Sequence, residues 1–209
     1  MSNIKVLSMF AAGCATGLLI HISGVPSPDM RHMPIYSLYA LMLQVGMSIG
    51  GNGELRSLVR TFRLRLLLIP VATVAGTLLF SAMVSLALSR WSVFDCLAVG
   101  SGLGYYSLSS ILIVQLKEPT LGTQLATELG TIALLANIFR ELFALTGAPL
   151  FRRYFGKLAP ISVAGVTSVD VALPSIVRAS GPEMMPIAIF HGLLIDVSVP
   201  FFVSLFCRM

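Results

Sequence analysis

Residues 123–150 constrain what this chain can be more than any other stretch does. Their core reads ELGTIALLANIFRELFALTGAPL, an apolar run long enough to cross a bilayer, yet it carries Glu128, Asn137, Arg140 and Glu141. A charge at the membrane centre costs roughly 2.5–3.5 kcal/mol on insertion scales, so such groups turn toward a protein interior or a water-filled cavity. At 100° per residue, Gly130, Asn137 and Glu141 fall within roughly 40° of one another. One face of the helix is therefore small and polar, and the opposite face is Leu, Ile and Phe. The alternative role for Glu141 is an ion pair with Arg140 or with the Arg152/Arg153 cluster, since charges near a helix end can snorkel.

The rest of the composition agrees with a membrane setting. Of 209 residues, 56% are hydrophobic and only 11% charged, with a mean hydropathy of +0.90. That excludes an ordinary soluble domain and implies a polytopic, all-α membrane protein. The net charge of +5 sits in short loops between apolar runs, where it orients spans and does not serve nucleic acid. Cys14, Cys96 and Cys207 are scattered singly, without metal-ligand spacing or a disulfide framework. No cofactor or metal site is expected. The first apolar run resembles a signal peptide, with Ala-Ala-Gly-Cys at 11–14. The sequence stays apolar through Ile20, however, so residues 4–22 read as a retained span.

In chain order, a Pro-rich loop (23–32) separates the first span from a second over 33–50. Gly13/Gly17 and Gly46/Gly50 are small-residue pairs that permit close helix approach, and Gln44 lies inside the second span as a packing group. The loop 51–65 carries Arg56, Arg60, Arg63 and Arg65, which place it in the cytoplasm. Residues 66–88 form a third span with Pro70 near its start, followed by Trp91 and Phe94 at an interface.

Two apolar segments, 98–115 and 159–178, are broken by Gly, Ser and Pro. Lys5 suggests a cytoplasmic N-terminus, so three spans leave residue 90 outside. Arg152, Arg153 and Lys157 then reach the cytoplasm only if 98–115 enters and returns on the outer side. The same logic makes 159–178 a re-entrant segment from the inner side, and 184–207 the last full span, ending outside. Gly100, Leu108 and Ser110-Ile111 repeat as Gly165, Leu173 and Ser175-Ile176. The expected fold is thus about five full spans plus two re-entrant segments related as an inverted repeat, a construction that places substrate at the midplane. Residues 1–93 read as a three-span scaffold or interface unit and 94–209 as a transport core.

Unwound backbone at membrane depth survives only in a cavity or a protein interior. There, carboxylates and carbonyl ends favour cations. Glu141 and Asp170 are the cation-binding candidates, with Asp170 alternatively a helix cap beside Thr167 and Ser168. Asn137, Tyr105, Tyr106, Ser107 and Ser109 are further candidates for lining the site. Glu141, His191 and Asp196 are candidates for a proton path, His191 having the alternative of a buried hydrogen bond. No phosphate loop or HExxH motif appears, and an intramembrane hydrolase is the only enzymatic alternative.

GSGLGYYSLSSILI (100–113), NIFRELFA (137–144), AGVTSVDVALPSIVRASG (164–181) and MPIAIFHGLLIDVSVPFF (185–202) resemble the lysine exporter LysO family, over most of residues 40–207. The resemblance implies a secondary transporter of the inner membrane, not an enzyme. It implies export of L-lysine and thialysine-like analogues by proton exchange, with Glu141 matching the family's Arg-Glu motif. The rivals are a transporter of another amino acid or an organic anion, and a passive channel. Single-chain members resemble this sequence preceded by about three further spans. The expected partner is accordingly a small membrane subunit of about three spans, or a second copy of this chain.

Overall fold

The computed structural model describes residues 64–209 continuously, together with isolated helical positions Ala15, Thr16, Leu18, Leu19, Ile22, Leu43 and Met47. The rest of the two expected N-terminal spans lies outside the described residues, with Gly13/Gly17, Gly46/Gly50, Gln44 and most of the basic loop 51–65. The chain divides into two compact units, Met1–Gly46 and Met47–Met209, and the continuous stretch belongs to the second.

The described residues are helical and contain no strand. After a 3-10 turn at Leu64–Leu67 come α1 (Leu68–Ser85), α2 (Val93–Gly100) and α3 (Tyr106–Phe155). Then follow α4 (Ala159–Ala164), a 3-10 turn (Gly165–Val169), α5 (Leu173–Ser180), a second 3-10 turn (Pro182–Met184) and α6 (Met185–Cys207). Among the described residues, three helical stretches are long and apolar enough to cross a membrane: Leu68–Ser85, Tyr106–Phe155 and Pro182–Cys207. Helix α3 is two helices joined at Gly122, whose φ of 80° and ψ of 160° are open only to glycine. Pro119, three residues earlier, lacks the N–H that a continuous helix would use. The pieces 106–121 and 123–155 are called α3a and α3b below.

Two ion pairs establish how the broken segments run. Asp95, in the first turn of α2, meets Lys117 of α3a at 2.7 Å. A straight helix would hold positions 95 and 117 roughly 33 Å apart. The chain therefore turns back at residues 101–105 and leaves on the side it entered. Lys157, ahead of α4, meets Glu183, beyond α5, at 2.9 Å, so the second segment folds back in the same way. Helix α3b runs between the two bases: Glu128 near its start pairs with Arg90 at 2.7 Å, and its far end leads directly into Lys157.

Local chemistry explains where each arm starts. Ser92 and Asp95 form a reciprocal capping box that satisfies orphan N–H groups of α2. Pro160 and Pro174 sit in the first turns of α4 and α5, where a missing N–H costs nothing. The second hairpin packs through small residues: Ala144, Ala164, Ala172 and Ala188 join Ile161 and Ile176 in a buried cluster between α3b and α6. Small side chains let helix backbones approach in lipid, where no hydrophobic force drives them together. Large apolar groups such as Leu79, Leu135, Leu142, Val197 and Phe201 stay exposed, as a lipid-facing surface requires.

Candidate functional site

The two hairpins meet tip to tip beside the middle of α3b. Val166 N–H donates to Leu103 C=O at 3.0 Å, a backbone bond between the two breaks. The approach depends on glycine. Gly165 has φ of +63°, and a Cβ there would run into the Leu103 carbonyl. A Cβ on Gly104, at φ of +99°, would stand 3.0 Å from the Ala164 carbonyl. Both positions need a left-handed backbone and a bare α-carbon.

Each tip is latched by a polar residue of α3b. The first is held by buried Asn137, whose Oδ1 accepts from Gly104 N–H at 2.7 Å and whose Nδ2 donates to Ala133 C=O at 2.8 Å. One turn further on, Arg140 reaches the second hairpin. Its Nε donates to Val163 C=O at 2.9 Å and its Nη2 to Ser162 C=O at 3.0 Å, while Nη1 meets Thr77 Oγ1 of α1 at 3.3 Å. These carbonyls close the six-residue α4, where a cation complements the helix end. Arg140 forms no ion pair among the described residues; the three pairs there are Arg90–Glu128, Lys117–Asp95 and Lys157–Glu183.

His191 of α6 braces the same tip from behind. It is fully buried, with Nε2 3.0 Å from Thr73 Oγ1 and Nδ1 3.2 Å from Ser168 Oγ. Ser168 in turn donates to the Gly165 and Ala188 carbonyls. Gly192 admits the tip against α6, since a Cβ there would lie 2.7 Å from Val169 N.

Beyond the tip, Asp170 after the 3-10 turn relates two further carboxylates, Glu141 of α3b and Asp196 of α6. Asp170 lies within electrostatic reach of both Glu141 and Asp196, and Tyr105 at the first break lies within reach of Asp170 and Asp196. Asp196 is buried, and its Oδ1 has no hydrogen-bond partner among the described residues. Glu141 is half-buried and pairs with neither Arg140 nor Arg152/Arg153. Asp170 is exposed and accepts only from the adjacent Val171 N–H; the N-cap of α5 is Ala172, so Asp170 does not cap that helix. A carboxylate left without a cation in a membrane protein is poised to take one.

The candidates from sequence thus separate by location. Glu141, Asp196 and Tyr105 each lie within electrostatic reach of Asp170. Asn137, Ser109, Thr167 and Ser168 are buried and spend their polar atoms inside the hairpins: Ser109 donates to Tyr105 C=O, and Thr167 to Ala164 C=O. Tyr106 and Ser107 are exposed on the first turn of α3a. His191 lies with the tip brace, away from any carboxylate partner. Sequence reasoning passed over Arg140 as a site residue, and with it Thr73 and Thr77. The signal for Arg140 was present, since an arginine at mid-span is as costly as the glutamate beside it. A cavity of about 1110 Å³ between α1 and α3b is lined by Arg140, Asn137, Thr73 and Thr77 among mostly apolar side chains. None of the three carboxylates lines it.

Comparison with known proteins gives the family. The family described as lysine exporter LysO matches residues 7–207. The lysine exporter LysO of Escherichia coli (strain K12) is 30% identical over 209 residues, covering 99% of this chain and 64% of that protein. A putative lysine exporter of Haemophilus influenzae (strain ATCC 51907 / DSM 11121 / KW20 / Rd) is 29% identical over 182 residues, covering 85% of this chain and 88% of that protein. The chain therefore spans just under two thirds of the length of the Escherichia coli relative. No solved structure matches. With re-entrant hairpins, apolar crossing helices and a family match over nearly its whole length, this multi-pass membrane protein belongs to the lysine exporter LysO family.

Proposed function

We propose that this protein exports L-lysine, and analogues such as thialysine, across the inner membrane in exchange for protons. The observation that supports the reading is that Asp170, at the end of the second hairpin's tip, lies within electrostatic reach of both Glu141 and Asp196, and that a buried Asp196 oxygen has no hydrogen-bond partner among the described residues. Lysine carries two ammonium groups, each wanting a carboxylate once desolvated. Protons and ammonium groups compete for the same carboxylate oxygens, which is the chemistry an exchanger needs. Tyr105 contributes a hydroxyl at the edge of this cluster. In this reading Asn137 and His191 hold the tips, and Glu141, Asp170 and Asp196 bind.

Expression in a cell that lacks its own exporter tests the reading: the protein confers thialysine resistance and lysine efflux, and Glu141→Gln removes both while the variant still accumulates in the membrane. Near-normal efflux by Glu141→Gln would assign that carboxylate to structure. In proteoliposomes the protein shows trans-stimulated lysine counterflow, which a channel lacks. The orientation that goes with this function puts 151–158 in the cytoplasm and 89–95 outside. Labelling of a cysteine at 154 from outside intact cells would reverse it. The chain works with a small membrane subunit of about three spans or as a homodimer, and co-purification in mild detergent distinguishes the two.

A further inference from the structure

An exported amino acid takes its carboxylate through the membrane as well as its ammonium groups, and that carboxylate needs a counter-charge at depth. We propose that Arg140 is the residue that receives the substrate's α-carboxylate, so that the tip of the second hairpin is a bipolar site with Arg140 at one end and the carboxylate cluster at the other. The inference rests on the export reading above and adds to it a basis for choosing amino acids over simple diamines.

The placement of charge supports this. Among the described residues the cations near mid-depth of the hairpins reduce to Arg140. Lys117 is consumed by Asp95 at a hairpin base, and Arg90 and Lys157 stand at the bases with Glu128 and Glu183. Among the described residues Arg140 meets only neutral oxygens: two carbonyls and one hydroxyl. Five N–H groups are available on a guanidinium, so donors remain for a carboxylate. The group lines the cavity between α1 and α3b, so a ligand there can reach it. Its Nη2 lies 3.3 Å from where a Cβ of Gly165 would be, at one end of the Gly165–Val169 turn; Asp170 follows the other end. Five residues of 3-10 helix rise roughly 10 Å. An extended lysine is somewhat shorter than that between its carboxylate and its side-chain ammonium, so the turn separates the two ends by enough to leave room for a contact at each.

Geometry also argues against a purely structural arginine. The two carbonyls at the end of α4 would be satisfied by any donor, and a charged one leaves a net positive charge in an apolar surround without a carboxylate. Such a charge is costly to retain. Occupation by substrate neutralises it.

The test is competition against radiolabelled lysine counterflow in proteoliposomes, with three competitors: lysine, lysine amide and cadaverine. Lysine amide keeps both amines and loses the carboxylate charge; cadaverine lacks the group altogether. For the wild type, both compete roughly 10- to 100-fold more weakly than lysine, the value of a hydrogen bond to a charged group. In Arg140→Gln this advantage of lysine shrinks to within about threefold, while the inhibition constant of cadaverine stays near its wild-type value. Arg140→Lys keeps part of the advantage. Equal loss for all three competitors in Arg140→Gln would make Arg140 a structural brace and overturn the proposal. So would lysine amide matching lysine on the wild type, an outcome that needs no variant to fold. If the wild type shows no lysine counterflow at all, the export reading itself falls and this assignment with it. Intact counterflow with an unmoved ratio removes only Arg140.

Discussion

The two hairpins share a plan and differ in where they keep their charge. Each enters, breaks at glycine and returns; each is closed at its base by a lysine and an acid. In the first, the base pair Asp95–Lys117 is buried, with side chains 7% and 9% exposed, and the break is neutral backbone held by Asn137. In the second, the base pair Lys157–Glu183 stands in the open, with side chains 49% and 52% exposed, and charge has moved to the tip. Arg140 grips that tip and Asp170 ends it.

The contrast divides labour between them. A buried ion pair locks an element in register, because breaking it strands a charge. An exposed pair holds little. The first hairpin is therefore fastened at its base, and the second is fastened at its tip, where the groups that hold it neighbour those that would bind substrate. Movement at the tip of the second hairpin would pass directly to Asp170. The first hairpin supplies Tyr105 and a fixed carbonyl, that of Leu103, against which the second tip rests.

Breaking the binding end of the second hairpin gives the largest effect. Asp170→Asn keeps size and hydrogen bonding but removes the charge, and lysine counterflow falls roughly 100-fold or more, the cost of leaving a desolvated ammonium unpaired. Retained counterflow would move the binding role away from this hairpin. The protein's melting temperature in detergent stays put, since Asp170 is exposed and bonds only to its neighbour.

Next in size is the base of the first hairpin. Lys117→Met strands Asp95 and destabilises the protein by roughly 3–5 kcal/mol. Adding Asp95→Asn to it restores part of that loss, because the stranded charge is gone. A thermal melt of single and double variants reads this directly. A double variant less stable than either single one would mean that Asp95 acts mainly through its cap on α2.

Smaller again is Asn137→Ala. It leaves the buried Gly104 N–H without its acceptor, at a cost of about 1–3 kcal/mol. Asn137→Asp supplies an acceptor and so separates the lost hydrogen bond from the other effects of truncation. If the two variants melted alike, the Gly104 bond would not be what holds the first tip.

Much of this plan is legible in the sequence. The charge distribution demanded that 98–115 return to its own side, and the chain does so through Asp95 and Lys117. The stretch from 123 was read as one crossing helix, and α3b does start there, because Gly122 and Pro119 break the helix just before it. Of the glycines in the repeated pattern, Gly165 sits at the second break, whereas Gly100 ends α2 and the glycine of the first tip is Gly104. Other features were not legible. Sequence spacing placed Asn137 and Glu141 on one face and took both as binding groups, but cannot show that Gly104 consumes the Asn137 oxygen. It listed His191 beside Asp196 as a proton path because both lie on one helix. The partners of His191, Thr73 and Ser168, lie 118 and 23 residues away in sequence and appear only in the folded chain. Arg140 was passed over because an Arg-Glu neighbour pair invites an intrahelical reading, whereas its true partners are carbonyls on another element.

The smallest effect belongs to the base of the second hairpin, and it is the most discriminating test of the contrast. Lys157→Gln removes the ion pair to Glu183. Both side chains are about half exposed, so water solvates Glu183 once its partner is gone, and salt already screens the pair. The melting temperature of Lys157→Gln therefore stays within measurement error of the wild type, and lysine counterflow is unchanged. Lys117→Met at the corresponding place in the first hairpin lowers it clearly. A fall for Lys157→Gln as large as that for Lys117→Met would show that the second hairpin is also fastened at its base. Its tip would then lose the special standing that Arg140, Gly165 and Asp170 give it here, and the two hairpins would act as mechanical equals.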